Sequence, residues 1–201
     1  DGEDLAVRQK KSPLPLPVAL DVIRQAAEAL GFAHERGVVH RDVKPSNLFL
    51  AYPSRPAEGK TSGTSTLRGG GRLDDGLPAA DPSVIVVKVL DFGVAAAGDL
   101  TMGGAGAIVG TPAYMSPEQA QGALAPDARS DIYSLGATLF ELCAGRPPHA
   151  APTSIATLAR RVTGPAPRLS EILLDVPERL DALVALLLEV DPTARPSSAR
   201  D

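Results

Sequence analysis

Asp42, Lys44 and Asn47 stand together in one polar stretch, His40-Arg41-Asp42-Val43-Lys44-Pro45-Ser46-Asn47. A carboxylate can take the proton of a hydroxyl, and an ammonium two residues on can neutralise a phosphate oxygen as a point charge. The amide oxygen of Asn47 is a hard ligand of the kind Mg²⁺ takes, and Asp91, at the end of a β-branched run, supplies another. Alone, an Asp, a Lys and an Asn in one loop would be a solvated turn. Their order along the chain raises them above that: Asp91-Phe92-Gly93 follows the first cluster, and Ser116-Pro117-Glu118 follows the second. Two glycine stretches carry no comparable meaning. Gly59-Lys60-Thr61 has Ser54 where a phosphate-binding loop needs glycine, and Gly104-Ala105-Gly106 has Val109 where a dinucleotide fingerprint needs one.

The elements that must position these residues follow from periodicity and punctuation. Residues 17–36 form an expected amphipathic helix, with Ile23, Ala26, Ala27, Leu30 and Ala33 at helical spacing, Pro17 in the first turn and Gly37 as the stop. Val38-Val39 and Leu48-Phe49-Leu50 are strand candidates on either side of the polar loop, and residues 84–90 are a β-branched strand leading into Asp91. Beyond Pro126 the pattern turns helical. Ser130 is the expected cap of a helix over residues 131–144 closed by Gly145, with Ile132, Leu135, Leu139 and Leu142 on one face. Further helices are expected over residues 153–162 and from Pro177, the latter carrying Leu180, Leu183, Val184, Leu187 and Leu188. His34 reads as a helix residue and His149 as a loop residue, neither as a metal ligand.

Residues 52–83 are rich in Gly, Ser, Thr, Pro and Ala and have no apolar periodicity, so they read as a disordered surface insertion. Loops beyond about 12–15 residues are uncommon in compact domains. Closure costs only about 0.6 kcal/mol per doubling of length, however, so a stable fold can carry one.

Composition removes several classes. The chain has 201 residues and a net charge of −4, which gives no electrostatic footprint for nucleic acid. Cys143 is the only cysteine, which excludes an internal disulfide, fits a reducing cytoplasmic setting and, within an apolar helical run, reads as a packing residue. No apolar run is long enough to span a bilayer.

The ordered motifs resemble those of a protein kinase, and the stretch H-R-D-x-K-P-x-N, met here by His40, Arg41, Asp42, Lys44, Pro45 and Asn47, is similar to the serine/threonine kinases of the bacterial eukaryotic-like group. The resemblance implies an α+β, kinase-like fold. It corresponds to the mostly helical C-terminal lobe, with short strands around the catalytic loop and the N-terminal lobe absent from these residues. Residues 1–201 then form a partial kinase domain carrying the insertion. Gly2-Glu3-Asp4-Leu5 resembles the start of the first large-lobe helix, and the last family helix would be incomplete at Asp201. Lys88 comes after the catalytic loop and is read as a strand-edge lysine, not the nucleotide lysine of the missing lobe.

The implied roles concern ATP and Mg²⁺, since phosphoryl transfer rests on positioning and charge stabilisation. Asp42 would be the catalytic base, Lys44 would meet the γ-phosphate, Asn47 and Asp91 would hold the metal, and Phe49 would lie beneath adenine. His40 would stack near Phe92, beside Gly93. Thr111 would bond to Asp42 and Lys44 within a segment, Gly110 to Glu118, that receives the substrate residue beyond the phosphoacceptor. Glu118 would pair with Arg195, and Asp131 would hold the catalytic-loop backbone. Arg41 is of the type that clamps a phosphorylated activation loop, with Thr101 the candidate phosphosite. The implied activity is transfer to Ser or Thr of protein substrates, with residues 1–201 inactive alone. The competing class is a non-catalytic scaffold, against which the retention of Asp42, Lys44, Asn47 and Asp91 argues. A small-molecule kinase is weakened by the Gly110–Glu118 segment. Oligomeric state is not readable.

Overall fold

The computed structural model describes residues 1–52, 85–92, 112–123 and 126–201. The insertion beyond Tyr52, both glycine stretches, Gly93, Thr101 and Thr111 lie outside the described residues.

Strand β1 (Gly2–Asp4) opens the fold and pairs antiparallel with β2 (Leu48–Ala51), Gly2 opposite Ala51 and Asp4 opposite Phe49. Glycine is needed at the edge, because a Cβ on Gly2 would come within 2.5 Å of both the Leu50 carbonyl oxygen and the Phe49 ring. Asp4 then caps α1 (Leu5–Lys11), its carboxylate accepting from the Val7 N–H at 2.7 Å. The helix thus begins at Leu5, and the three residues before it, expected as its start, are a strand because β2 offers them an open edge. β3 (Val86–Val89) completes the sheet on the other side of β2, Leu48 opposite Val89 and Ala51 opposite Val86.

Helix α2 runs Leu16–His34, with Pro17 in its first turn and Val22, Ala26 and Leu30 fully buried. It closes two residues earlier than the sequence reading. Gly37 adopts φ 73° and donates to the His34 carbonyl at 2.9 Å. Val38-Val39 is not a strand: the Val38 N–H is spent on the Ala33 carbonyl at 3.0 Å, closing the helix end, and cannot join a ladder. From α2, Gln25 reaches the outer edge of β3, its Nε2 donating to the Ile85 carbonyl at 2.9 Å and its Oε1 accepting from Val87 N–H at 3.0 Å.

After the short α3 (Pro117–Ala120) comes α4 (Ala128–Ala144), the central helix, with Tyr133, Ala137, Leu139 and Phe140 fully buried. Its cap is Asp127, which accepts from Arg129 N–H at 2.8 Å, and not Ser130. Both residue types cap well, and the one further upstream starts the helix and leaves Ser130 free for another partner. Gly145, at φ 71°, ends it. Helix α5 (Ser154–Thr163) is capped by Thr153. Helix α6 (Glu178–Leu187) follows Pro177 and crosses α4 closely, since a Cβ on Gly136 would lie 2.6 Å from Leu187 Cβ. On α6, Leu180, Val184 and the adjoining Leu188 enter the core, whereas Leu183 stays 44% exposed, against the sequence reading. The core therefore lies between α2, α4 and α6, with the sheet against α2. Among the described residues no helix is long and apolar enough to cross a membrane.

Candidate active site

Between α2 and β2, residues 38–47 have one turn of 3-10 helix, Pro45–Asn47, and otherwise little regular bonding. Side chains from elsewhere must hold the backbone. Asp131, fully buried in the first turn of α4, accepts from His40 N–H at 2.8 Å, from Arg41 N–H at 2.7 Å and from His34 Nε2 at 2.8 Å. A carboxylate only accepts, so the His34 proton sits on Nε2.

Arg41 takes a left-handed φ of 69°. That conformation costs a residue with a Cβ about 1–3 kcal/mol and persists only where its surroundings hold it. They do so on both sides of the residue. Asp131 takes the Arg41 N–H, and the Arg41 carbonyl accepts from Gln119 Nε2 at 2.9 Å. Gln119 is itself fixed by a capping box, its Oε1 accepting from Ser116 N–H at 3.0 Å and Ser116 Oγ–H at 2.9 Å.

The backbone so fixed presents the reactive groups. Lys44 Nζ lies 2.7 Å from Asp42 Oδ2, and Asn47 Nδ2 donates to the Asp42 carbonyl at 2.8 Å and to Oδ2 at 3.2 Å. The Asp42 side chain remains 39% exposed, open to solvent on the side away from Lys44 and Asn47. Both Asn47 bonds use the amide nitrogen, which a carbonyl partner requires, so Oδ1 is left as a hard acceptor. The β3 end is tied to the same loop: Leu90 N–H donates to the Asn47 carbonyl at 2.9 Å, and His40 Nε2 donates to the Leu90 carbonyl at 2.7 Å. His40 Nδ1 is then the acceptor facing Asp42 N–H at 3.3 Å. Immediately beyond Leu90, Asp91 turns out to solvent at φ 59°, and the Phe92 ring rests 4.7 Å from that of His40 at 58°. Phe49 is half-buried on β2, its ring against Gly2.

Among the described residues no three His, Cys, Asp or Glu side chains gather as a closed metal site. The oxygens of Asn47 and Asp91 fit Mg²⁺ instead, which keeps water or phosphate oxygens in most positions and takes one or two protein ligands.

A second constellation anchors the segment leading into α3. Arg195 meets Glu118 through two parallel bonds of 2.8 Å, and Ser130 Oγ–H donates to Glu118 at 2.7 Å. Its remaining N–H groups reach the carbonyls of Glu189, Arg129 and Val190, and the guanidinium lies 4.9 Å from the Tyr133 ring centroid. Burial pushes the Glu118 carboxyl up, but the bonds from Arg195 and Ser130 outweigh it and hold it at about 2. Upstream, the Tyr114 hydroxyl donates to Glu141 of α4, and burial raises both groups. Arg161 of α5 and Ser134 of α4 bond to the backbone of residues 112–115.

Of the residues singled out from sequence, Lys44 and Asn47 both lie in hydrogen-bonding reach of Asp42, His40 meets Phe92, Asp131 meets the loop backbone, and Glu118 meets Arg195. Sequence reading gave His34 no role beyond its helix, and none to Gln119, Ser134, Tyr114 with Glu141, or Arg161. For Gln119 a signal existed in the Ser-x-x-Gln spacing of a capping box. The others act through contacts distant in sequence and leave no local pattern.

A family profile described as protein kinase domain matches residues 2–200. A probable serine/threonine-protein kinase of Clostridium acetobutylicum is 32% identical over 183 residues, covering 90% of this chain and 23% of that protein. The serine/threonine-protein kinase PknB of Mycobacterium leprae is 32% identical over 195 residues, 94% of this chain and 26% of that protein. The serine/threonine-protein kinase PknL of Mycobacterium tuberculosis is 32% identical over 191 residues, 94% of this chain and 40% of that protein. The chain thus spans about a quarter to two-fifths of the length of these relatives.

Proposed function

The chain belongs to the protein kinase domain family, and from that premise we propose that it is the large lobe of an enzyme that transfers the γ-phosphate of ATP to Ser or Thr hydroxyls of proteins. The observation that carries this reading is the arrangement of Asp42, Lys44 and Asn47 on a backbone held by Asp131 and Gln119. Bound ATP and Mg²⁺ supply the phosphoryl group and neutralise its charge. Asp42 orients the hydroxyl and takes its proton. Lys44, now 2.7 Å from Asp42, would meet a phosphate oxygen, and Asn47 with Asp91 would hold the metal. Phe49 would line the adenine site, and His40 with Phe92 would keep the turn at Asp91 in its working form. Residues 110–118, with Thr111, receive the substrate, on the footing that Glu118 and Arg195 provide. Arg41 answers a phosphate on Thr101. The setting is cytoplasmic and reducing, in keeping with the single cysteine.

Ahead of His40, residues 1–201 carry no glycine-rich strand pair followed by a strand lysine. As an isolated polypeptide they should fall far below the ~1–100 s⁻¹ of protein kinases. The test is transfer of labelled γ-phosphate by the intact gene product against its Asp42→Asn variant. Transfer that collapses in the variant supports the reading. A folded wild type without transfer would turn it towards a protein-binding scaffold.

A further inference from the structure

Arg161, on the inner face of α5, is fully buried and has no carboxylate partner among the described residues. Its Nη1 donates to the carbonyls of Pro112 and, at 2.5 Å, Met115, and its Nη2 donates to that of Ala113 at 2.6 Å. The one carbonyl it leaves in this run, that of Tyr114, accepts from Ser134 Oγ–H at 2.8 Å. All four consecutive carbonyls of residues 112–115 are therefore turned inwards and taken by side chains of α4 and α5.

Packing alone does not call for an arginine here. A leucine would fill an inner helix position without the cost of burying a charge. Nor is the charge there to meet a carboxylate: the guanidinium lies 5.7 Å from the ring centroid of buried Tyr133, and His149, on which its charge also acts, is itself buried. Burial and then the charges of Arg161 and Arg160 keep it neutral. What a planar fork with five donors does, and an apolar residue or an ammonium cannot, is bind several carbonyls in fixed directions. Drawing every carbonyl inwards also fixes the face that the segment turns to solvent, where Ala113 and Met115 stay half-buried.

We propose that Arg161 is a positioning residue for the protein substrate, shaping residues 112–115 into the surface that receives the residue after the phosphoacceptor. The proposal rests on the kinase reading above and adds a determinant of substrate binding to it. The bonds that hold Asp42, Lys44 and Asn47 run through Asp131 and Gln119, so Arg161 acts on the peptide and not on the nucleotide.

The experiment compares Arg161→Met and Arg161→Lys with wild type in the intact gene product. The probe is the best-transferred member of a degenerate Ser/Thr peptide array. Loss of charge-assisted bonds to a loop that only the peptide touches should raise the peptide KM about tenfold or more in Arg161→Met, with the KM for ATP moving less than about twofold. Arg161→Lys keeps the charge without the fork and should fall between. Hydrogen exchange of the amides of residues 113–116 should quicken in Arg161→Met while the catalytic loop holds its protection. An unchanged peptide KM overturns the proposal, as does a fall in kcat alone with both KM values intact, the mark of lost folded enzyme. Should Arg161→Met fail to fold, Arg161→Lys decides on the same readouts. A wild type that transfers no phosphate defeats the kinase reading instead, and the exchange data still show whether Arg161 sets the segment.

Discussion

Around Asp131 one buried carboxylate gathers the N–H groups of His40, Arg41 and His34; around Arg161 one buried guanidinium gathers the carbonyls of Pro112, Ala113 and Met115. Both side chains are buried on helices, Asp131 on central α4 and Arg161 on α5 at its flank, and both hold irregular backbone that has no ladder of its own. The sign of the charge follows from which half of the peptide unit needs a partner. Residues 40 and 41 turn their amides inwards, and residues 112–115 turn their carbonyls inwards. Between them stands Glu118–Arg195, where opposite charges satisfy each other and the backbone is served by what is left over. A buried charge is tolerable when several dipoles converge on it, and it then becomes a tool for shaping a loop.

The sharpest way to break this comparison is to remove the anion. Asp131→Asn keeps the size but turns one of the two accepting oxygens into an N–H donor facing other N–H groups, and takes the negative charge from all three bonds. At about 1.5–3 kcal/mol each it should destabilise the chain by about 5 kcal/mol in urea unfolding. Because it also releases the loop carrying Asp42, transfer by the intact enzyme should drop by about 100-fold. Glu118→Gln tests the paired case: Arg195 is left buried without its counter-ion, at a cost of about 3–5 kcal/mol. The same pair has an acid signature. The folded carboxyl titrates at about 2 against an ordinary 4.5, so its contribution is present above pH 4.5 and fades as pH falls towards 2. Unfolding in urea across that window should lose its acid slope in Glu118→Gln.

His149 sharpens the view of the cation. Its folded pKa is lowered to about 4 from 6.5, by burial first and then by Arg161 and Arg160. Below pH 6.5 the unfolded chain takes a proton that the folded chain refuses until about pH 4, so stability should fall across that interval. The fall is about 3 kcal/mol at most, and His149→Phe should flatten it in a pH series of melting curves. The smallest effect is expected at the capping box. Ser116→Ala loses the cap of α3 and loosens Gln119 from the Arg41 carbonyl, for about 1 kcal/mol in the same unfolding assay.

Much of this was legible in the sequence, and the division is physical. Helices α2, α4 and α6 announce themselves because their apolar residues recur at helical spacing. The polar loop announces itself because Asp42, Lys44 and Asn47 stand within one short motif. β1 does not, because Gly2, Glu3 and Asp4 have no strand preference and pair only because β2 is there. Val38-Val39 misleads for the opposite reason, two β-branched residues whose first amide is already committed to α2. Ser130 resembles a cap and serves Glu118 instead, since Asp127 comes first. Asp131 was readable through the resemblance, whereas Arg161 lies in a helix where an arginine is usually a solvent-facing charge, and only the fold shows that it points inwards.

Gln25 covers the outer edge of β3, meeting one carbonyl and one amide with its own side-chain amide. A bare strand edge adheres to any extended chain that drifts past, including a partly folded copy of the same protein. With the Ile85 carbonyl and the Val87 amide occupied from within, a newcomer finds the strand already answered. Gln25 thus works as a guard against adhesion, keeping the small sheet from growing into a neighbour's.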